Sequence, residues 1–463
     1  MLFRSIAIAL ALLLALGTFS GCALVEEDDG NVVIAKVNGV AILKSEFNDV
    51  YNYYYNMFIN YYGYDASTAV NYLEDMKEDI LSDLIDQQVL EQLAEKEGYF
   101  NYTDEQKAAA QKVLDDDKAE YIKNFVEQYT AAFEGQTING KNEGESDEDY
   151  FKRIAEEKYL ADIKDSGTTL EEMLSEQLKS AALEKFQEDK LSGVTVLEAD
   201  VVKKYDELYS EQKQEFTSDS IFVKAWNGQS ITTSGGSSKT YDMIAYRRAG
   251  YSLVQHILIS FEDEDLDNLE ALYGTIAEYD EEIEGREEDI KDETDATKKA
   301  EHQAALDDAK VKRAEYQKKY DDALAAAQAK IQTKVDEVYA KVKDADEATF
   351  IATLVEKTTD TGMNTEDAAK KGYLIGPEDG MVPEFSEKGL SLEAGKVGEP
   401  LATYHGVHII RCMEKLAEGK VPYEDLKDDI NTQLTDEKKD AEWTKLLGEW
   451  TKAADIKKYT NKL

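Results

Sequence analysis

Two histidines occupy strand positions where apolar residues surround them. In YSLVQHILIS, residues 251–260, Leu253, Gln255, Ile257, Ile259 and Phe261 alternate with Val254, His256, Leu258 and Ser260. His256 therefore shares one face of a strand with Val254 and Leu258. In GVHIIRC the same alternation groups His408 with Ile410 and Cys412, opposite Val407, Ile409 and Arg411. An imidazole can ligate a metal, transfer a proton or hold a hydrogen-bond network. Metal binding fails on ligand count: no CxxC, HxxxH or HExxH spacing accompanies the pair, and His302 lies in a charged stretch. A Ser-His-Asp triad lacks its Gly-x-Ser-x-Gly elbow. By default the two are satisfied core histidines.

Several elements must bring the two strands together. Between them runs a charged helical stretch to about residue 343. Leu266, Leu269, Tyr273, Ile276, Ile283 and Ile290 recur at three- and four-residue intervals, as do Tyr320, Leu324, Ala327, Ile331, Val335, Val338 and Val342. KDETDATKK interrupts that seam and predicts two long helices folded into an antiparallel hairpin. A single helix is the alternative, because this turn has neither Gly nor Pro. DEATFIATLVEK and MVPEFSEKGLSL read as short amphipathic helices.

The N-terminal half is mostly helical from Ile34 to about Asp206. It opens on IAKVNGVAILKSEF, where Asn38-Gly39 signals a turn between two strand-like runs and Ser45 starts a helix. Thr103 with Gln106 and Thr168 with Glu171 have the spacing of capping boxes. Ile80, Leu81, Leu84, Ile85, Val89 and Leu93 form one helical face, which Gly98 closes. Residues 135–149 read as a loop. YNYYYNMFINYYGY, residues 51–64, carries seven tyrosines. The favoured reading is that half of them pack a helical core and the rest snorkel at its edge; the alternative is an adaptable aromatic surface for unfolded chains. Residues 207–250, including NGQSITTSGGSSKTYD, read as a linker and loop region. From Tyr423 the chain closes with helices.

At 463 residues the chain accommodates two or three core-forming units. Its 97 acidic residues outnumber 53 basic ones, for a net charge of −44. That argues against sequence-independent nucleic-acid binding and against adhesion to anionic lipid. High solubility is the plain consequence. Cys22 and Cys412 are the two cysteines, too far apart in sequence to suggest a disulfide framework. MLFRSIAIALALLLALGTFSGC has a cationic start at Arg4 and an apolar core from Ile6 to Leu16, too short for a stable span. Its Phe19-Ser20-Gly21-Cys22 ending resembles a bacterial lipobox. Residues 1–21 are then a lipoprotein signal peptide, Cys22 the acylated residue, and 22–33 a tether.

VQHILI, the TTDTG at 358–362, GMVPEF and LATYHGVHIIRC, in that order, resemble the parvulin-type peptidyl-prolyl isomerases. The whole layout resembles the secreted foldase lipoproteins of the PrsA/SurA kind. The resemblance implies an α+β protein: a helical chaperone-like domain at 34–206, completed by helices at 419–463, plus a small parvulin-like α/β domain at 251–418. A helical-hairpin insertion at about 264–325 would interrupt the latter. It implies catalytic roles for His256, Asp360 and His408, with the Thr403 hydroxyl supporting the histidines. Leu374, Met381 and Phe385 match the wall that receives the proline ring. One departure stands out: the usual Gly-Gly-Asp-Leu-Gly is here Lys371-Gly372-Tyr373-Leu374-Ile375-Gly376, in a lengthened loop. No cofactor or metal is implied. The implied partners are unfolded secreted chains with X–Pro bonds, the membrane through Cys22, and a second copy in those members that dimerise. An inactive holdase that keeps the parvulin fold is the alternative. A solute-binding lipoprotein fits poorly, since two-lobed α/β alternation is missing.

Overall fold

A β-hairpin opens the described part of the chain, which in this computed structural model comprises residues 31–463 apart from 134, 135, 137 and 139. The signal peptide at 1–21, Cys22 and most of the expected tether lie outside the described residues, as do parts of the loop at 135–149. Strands β1 (Val33–Val37) and β2 (Val40–Leu43) meet through Asn38 and Gly39 at φ 49° and 89°. Two successive positive φ values are what a two-residue type I′ hairpin turn demands, and Asn-Gly supplies them at low cost.

Five helices follow: α1 (Lys44–Asn60), α2 (Ala66–Lys96), α3 (Asp104–Ala132), α4 (Asp147–Asp165) and α5 (Leu170–Leu191). The Thr103–Gln106 box caps α3 as read from sequence, with reciprocal bonds of 3.2 and 2.8 Å. The second box is shifted by one residue. Thr169 caps α5 by accepting the Glu172 N–H at 3.1 Å, because the Thr168 N–H is engaged in closing α4 through the Ile163 carbonyl. Ile80, Leu81, Ile85 and Val89 of α2 pack with Ile34, Val37, Ile42 and Phe47. The tyrosine-rich stretch divides: Tyr51 and Tyr54 are buried, whereas Tyr61, Tyr62 and Tyr64 are exposed; Tyr62 and Tyr64 pack around Phe58 together with exposed Tyr72 of α2, and Tyr61 packs on Tyr62.

Residues from Asn431 to Leu463 belong to this first compact unit together with the described residues up to Leu197. Instead of several closing helices there is one, Tyr423–Ala453, then the strand Ile456–Lys458, which pairs antiparallel with β1. Trp443 and Trp450 pack on Phe186.

The second unit runs from Glu198 to Ile430. Here the expected linker at 207–250 is corrected. Helix α6 (Glu198–Glu215) runs into it, α7 (Asp219–Trp226) follows, and β3 (Ile231–Thr232), β4 (Ser238–Lys239) and β5 (Tyr246–Arg247) complete it. Phe216, Phe222, Tyr241 and Tyr246 are buried in one cluster with Tyr251 and Leu416. These aromatics hold the segment in a core that its polar composition hides. The turn at residues 227–230 and the Gly/Ser tip between β3 and β4 are the exposed loops it resembles.

After β6 (Ser252–Ile259), helices α8 (Asp263–Asp292) and α9 (Ala296–Val342) fold back on each other. The hairpin reading holds, and the turn needs neither Gly nor Pro. Glu293 leaves α8 in an extended conformation, and the Asp295 carboxylate caps α9 by accepting from Thr297 and Lys298. Ion pairs Arg313–Asp280, Lys310–Glu287 and Lys330–Asp265 rivet the pair. His302 lies near Asp289 at 3.3 Å, far along the hairpin from the other histidines.

Then come α10 (Glu347–Lys357), α11 (Glu366–Lys371), β7 (Tyr373–Ile375), α12 (Pro383–Ser391), β8 (Leu401–Thr403) and β9 (Gly406–Lys415). Four strands form one antiparallel sheet in the order β7-β6-β9-β8. On one face Ile257, Ile259, Val407 and Ile409 pack beneath Val335 and Val338 of α9 and Phe350 and Leu354 of α10. On the other, Val254, Ile375 and Ile410 pack beneath Phe385 of α12.

Candidate active site

Strand register joins the two histidines. His256 lies opposite Ile410 and Leu258 opposite His408, so both imidazoles project from the face that α12 covers. Their Nδ1 atoms are 3.2 Å apart. His256 Nε2 lies 2.8 Å from Asp360 Oδ2, and Thr403 Oγ1 lies 2.8 Å from His408 Nε2. Tyr373 donates its hydroxyl to the same Asp360 oxygen at 2.9 Å. The result is a continuous relay: Thr403, His408, His256, Asp360, Tyr373.

Its polarity follows from one end. An ionised carboxylate only accepts, so His256 presents Nε2–H to Asp360; in the tautomer with a bare Nδ1, that atom is the acceptor for His408. His408 must then donate Nδ1–H to His256 and accept at Nε2 from the Thr403 hydroxyl. The Thr403 oxygen in turn accepts the His405 N–H at 3.2 Å. Every donor in that arrangement points toward Asp360.

The hydrogen bond from His256 holds the Asp360 carboxyl at a pKa of about 2, against an opposing push from burial; the Gly362 N–H and Tyr373 hydroxyl add to the lowering. Burial drives His408 down to about 3, with His256 and His405 acting in the same direction. Burial, followed by the Asp360 charge, pushes the Tyr373 phenol up. His256 and His408 are only 4% and 5% exposed, so neither ring meets bulk water.

Local chain chemistry places Asp360. Past the C-terminus of α10, residues 358–360 run beside β6. The Thr358 hydroxyl accepts the Leu258 N–H at 3.1 Å, the Thr359 N–H donates to the Leu258 carbonyl at 2.9 Å, and the Thr359 hydroxyl accepts from Ser260 at 3.2 Å. The TTDTG stretch is therefore stapled to the strand that carries His256.

The apolar wall differs in part from the sequence reading. Phe385 is buried, its ring 5.0 Å from His256 and 5.1 Å from His408. Met381 packs beside it, half-buried. Leu374 does not join them. It pairs with Leu253 across β7–β6 and packs with Phe222 and Tyr251 on the far side of the sheet. Its neighbours Tyr373 and Ile375 face the site instead. Gly372 (φ 67°) explains how β7 enters: an added Cβ would lie 2.8 Å from the Val254 carbonyl.

Two residues escaped the sequence reading. Tyr373 was visible only as part of an altered loop, in a strand of three residues that is too short to declare a face. Asp379 organises the lengthened loop, accepting from the Gly376 N–H at 2.8 Å, the Met381 N–H at 2.9 Å and the Ser386 hydroxyl at 2.6 Å. The Asp-Gly pair at 379–380 was its signal. Among the described residues, no group of three or more His, Cys, Asp or Glu is placed to hold a metal ion. Cys412 is buried and free.

The chain is similar to known families over two stretches. Residues 2–141 match the family described as SurA-like N-terminal domain, and residues 318–414 the PPIC-type PPIASE domain. The second match begins inside α9, so the hairpin separates β6 and His256 from it in sequence. A Foldase protein PrsA from Clostridium botulinum (strain Langeland) is 31% identical over 118 residues, 25% of this chain and 34% of the relative. Another from Oceanobacillus iheyensis is 34% identical over 102 residues, 22% of this chain and 32% of the relative. The chain thus aligns with about a third of the length of these curated relatives. The crystal structure of PrsA from Bacillus subtilis covers 92% of this chain and 91% of its own, at 15% identity and a TM-score of 0.21, too low to support an argument from shape. No helix among the described residues is long and apolar enough to cross a membrane.

Proposed function

We propose, from the premise that the chain belongs to the PrsA/SurA-like foldases with a parvulin-type isomerase domain, that it is an extracytoplasmic foldase that binds unfolded secreted chains and catalyses cis–trans isomerisation of their X–Pro bonds. Cys22 would carry its lipid anchor. The observation that carries this reading is the hydrogen-bonded chain from Thr403 to Asp360 lying under Phe385, with Met381 beside it.

Rotation about an X–Pro bond loses amide resonance at a barrier of roughly 18–20 kcal/mol. Unassisted it takes tens of seconds or more. No covalent bond to a proton or nucleophile has to break. Catalysis requires that the pyrrolidine ring be held, that water leave the carbonyl, and that the twisted amide be preferred over the planar one. Met381 and Phe385 offer the ring an apolar surface. The histidines act beneath Phe385, fixing its position and setting a polar floor. Nothing in this chemistry calls for a cofactor. Exposed Tyr61, Tyr62, Tyr64 and Tyr72 offer rigid area with polar tips to an unfolded client.

A holdase without catalysis is the second reading. Phe385, 3% exposed, covers both imidazoles, so neither ring can touch a proline without its displacement. NMR exchange on a short X–Pro peptide separates the two. The mature chain should accelerate exchange and the Met381→Ala/Phe385→Ala variant should not. Silence from both, with aggregation of an unfolded client still suppressed by the wild type, leaves the holdase.

A further inference from the structure

The inserted hairpin packs against the β8–β9 turn, at the edge of the apolar layer and next in sequence to Thr403 of the relay. Tyr273 of α8 packs against Tyr404 with ring centroids 4.5 Å apart and against Tyr320 of α9 at 6.1 Å. Tyr404 in turn lies 4.0 Å from the ring of His405. These two residues form the β8–β9 turn, which is bonded into the relay through Thr403. On the other side Glu384 immediately precedes Phe385, the residue that covers both histidines. Glu270 lies one helical turn before Tyr273.

The charge at this rim has one sign. Tyr273 and Tyr404 are half-buried, and Glu270, Glu384 and His405 are exposed. Beyond the push from burial and from neighbouring phenols, the groups that raise the phenols of Tyr273, Tyr320 and Tyr404 are Glu270, Glu384, Asp280 and Asp321. Burial lowers His405, opposed by Glu270 and Asp360. Asp280 is already paired with Arg313. Among the described residues, neither Glu270 nor Glu384 has an ion-pair partner. Aromatic faces beside unneutralised carboxylates suit one kind of side chain: a long aliphatic stem ending in a cation.

We propose that Tyr273, Tyr404, Glu270 and Glu384 form a specificity subsite that selects client segments carrying lysine or arginine next to the isomerised proline. The stem packs on the two tyrosines and the cation sits toward the two carboxylates. The inserted hairpin thereby supplies half of the substrate groove. The proposal rests on the isomerase reading of the floor beneath it, and its test keeps the two apart.

Three peptides differing only in Lys, Leu or Glu before proline are offered to the mature chain. Exchange rates are measured by NMR, and binding is measured separately by fluorescence anisotropy. The Lys peptide should exceed the Glu peptide by about tenfold at low salt, as expected for two exposed charge pairs. In Glu270→Gln/Glu384→Gln that preference should collapse, with turnover of the Leu peptide unchanged. Tyr273→Leu should weaken the Lys peptide most. Equal turnover of all three overturns the subsite and leaves the isomerase standing. A preference that survives in the double variant belongs to the net charge of the whole chain and also overturns it. If nothing is turned over but the Lys peptide still binds best, the isomerase reading fails and the subsite holds; binding without preference removes it.

Discussion

The two faces of the four-stranded sheet are built from the same alternation and do opposite things. Under α9 and α10, Ile257, Ile259, Val407 and Ile409 are fully buried in an apolar layer. Under α12, the intervening positions hold His256 and His408 in a relay ending on an ionised carboxylate. An apolar layer tolerates small rearrangement because its contacts are non-directional, at a cost set by volume. A buried polar chain tolerates none, because each unmet donor carries its full desolvation penalty. One face therefore stores stability and the other stores geometry.

The largest effect should come from breaking the apolar face. Phe350→Ala is expected to cost about 3–5 kcal/mol of stability. The remaining folded molecules should isomerise at the wild-type rate, as urea unfolding combined with exchange kinetics can check. Equal loss of specific activity would mean that the faces are not separable.

Acid should strike the other face next. His408 titrates near 3 in the fold against 6.5 as its ordinary value. The unfolded chain therefore takes up the proton first. The stability that His408 contributes is complete above pH 6.5 and is lost as pH falls toward about 3. Asp360 behaves alike in a lower window, its contribution complete above 3.8 and lost as pH falls toward about 2. The difference in unfolding free energy between wild type and His408→Gln isolates the first window. A difference that stays constant from pH 7 to 4 would show that His408 is not held neutral by the fold.

Asp360→Ala strands the donors of His256, Tyr373 and Gly362 together. It should cost about 1–3 kcal/mol and lower kcat/KM on the order of tenfold. Asp360→Asn retains one acceptor and should fall between. The smallest change is Thr403→Val, which leaves His408 Nε2 without its donor at a cost of about 1 kcal/mol. Its mark should be a shifted His408 ring resonance in NMR, with little change in turnover.

How far the sequence carried depended on how many residues shared one rule. His256 and His408 were legible because each sits in a long alternating strand, so their phase was over-determined. Leu374 was misassigned because β7 has three residues, too few for alternation to declare a face, and the resemblance drew attention to its leucine. The fold at 207–250 stayed hidden because Phe216, Phe222, Tyr241 and Tyr246 reach one cluster from a turn, a helix and short strands. No single period joins them. The hairpin turn was left open for want of Gly or Pro, although Asp295 was there as a cap. Met381, Phe385, Asp360 and Thr403 were reached through resemblance, since each depends on contacts that only folding creates.

The sheet of the first unit has a consequence for how the protein comes into being. Its middle strand, β1, is flanked on one side by β2 and on the other by Ile456–Lys458, and the Asp455 N–H donates to the Asn38 side chain 417 residues away. During synthesis or export the second unit, continuous in sequence, has all its strands in hand before the first can close its sheet. Until the last residues emerge, β1 offers a bare edge to any extended chain nearby. A chain of this design is, for most of its own synthesis, an unfinished sheet.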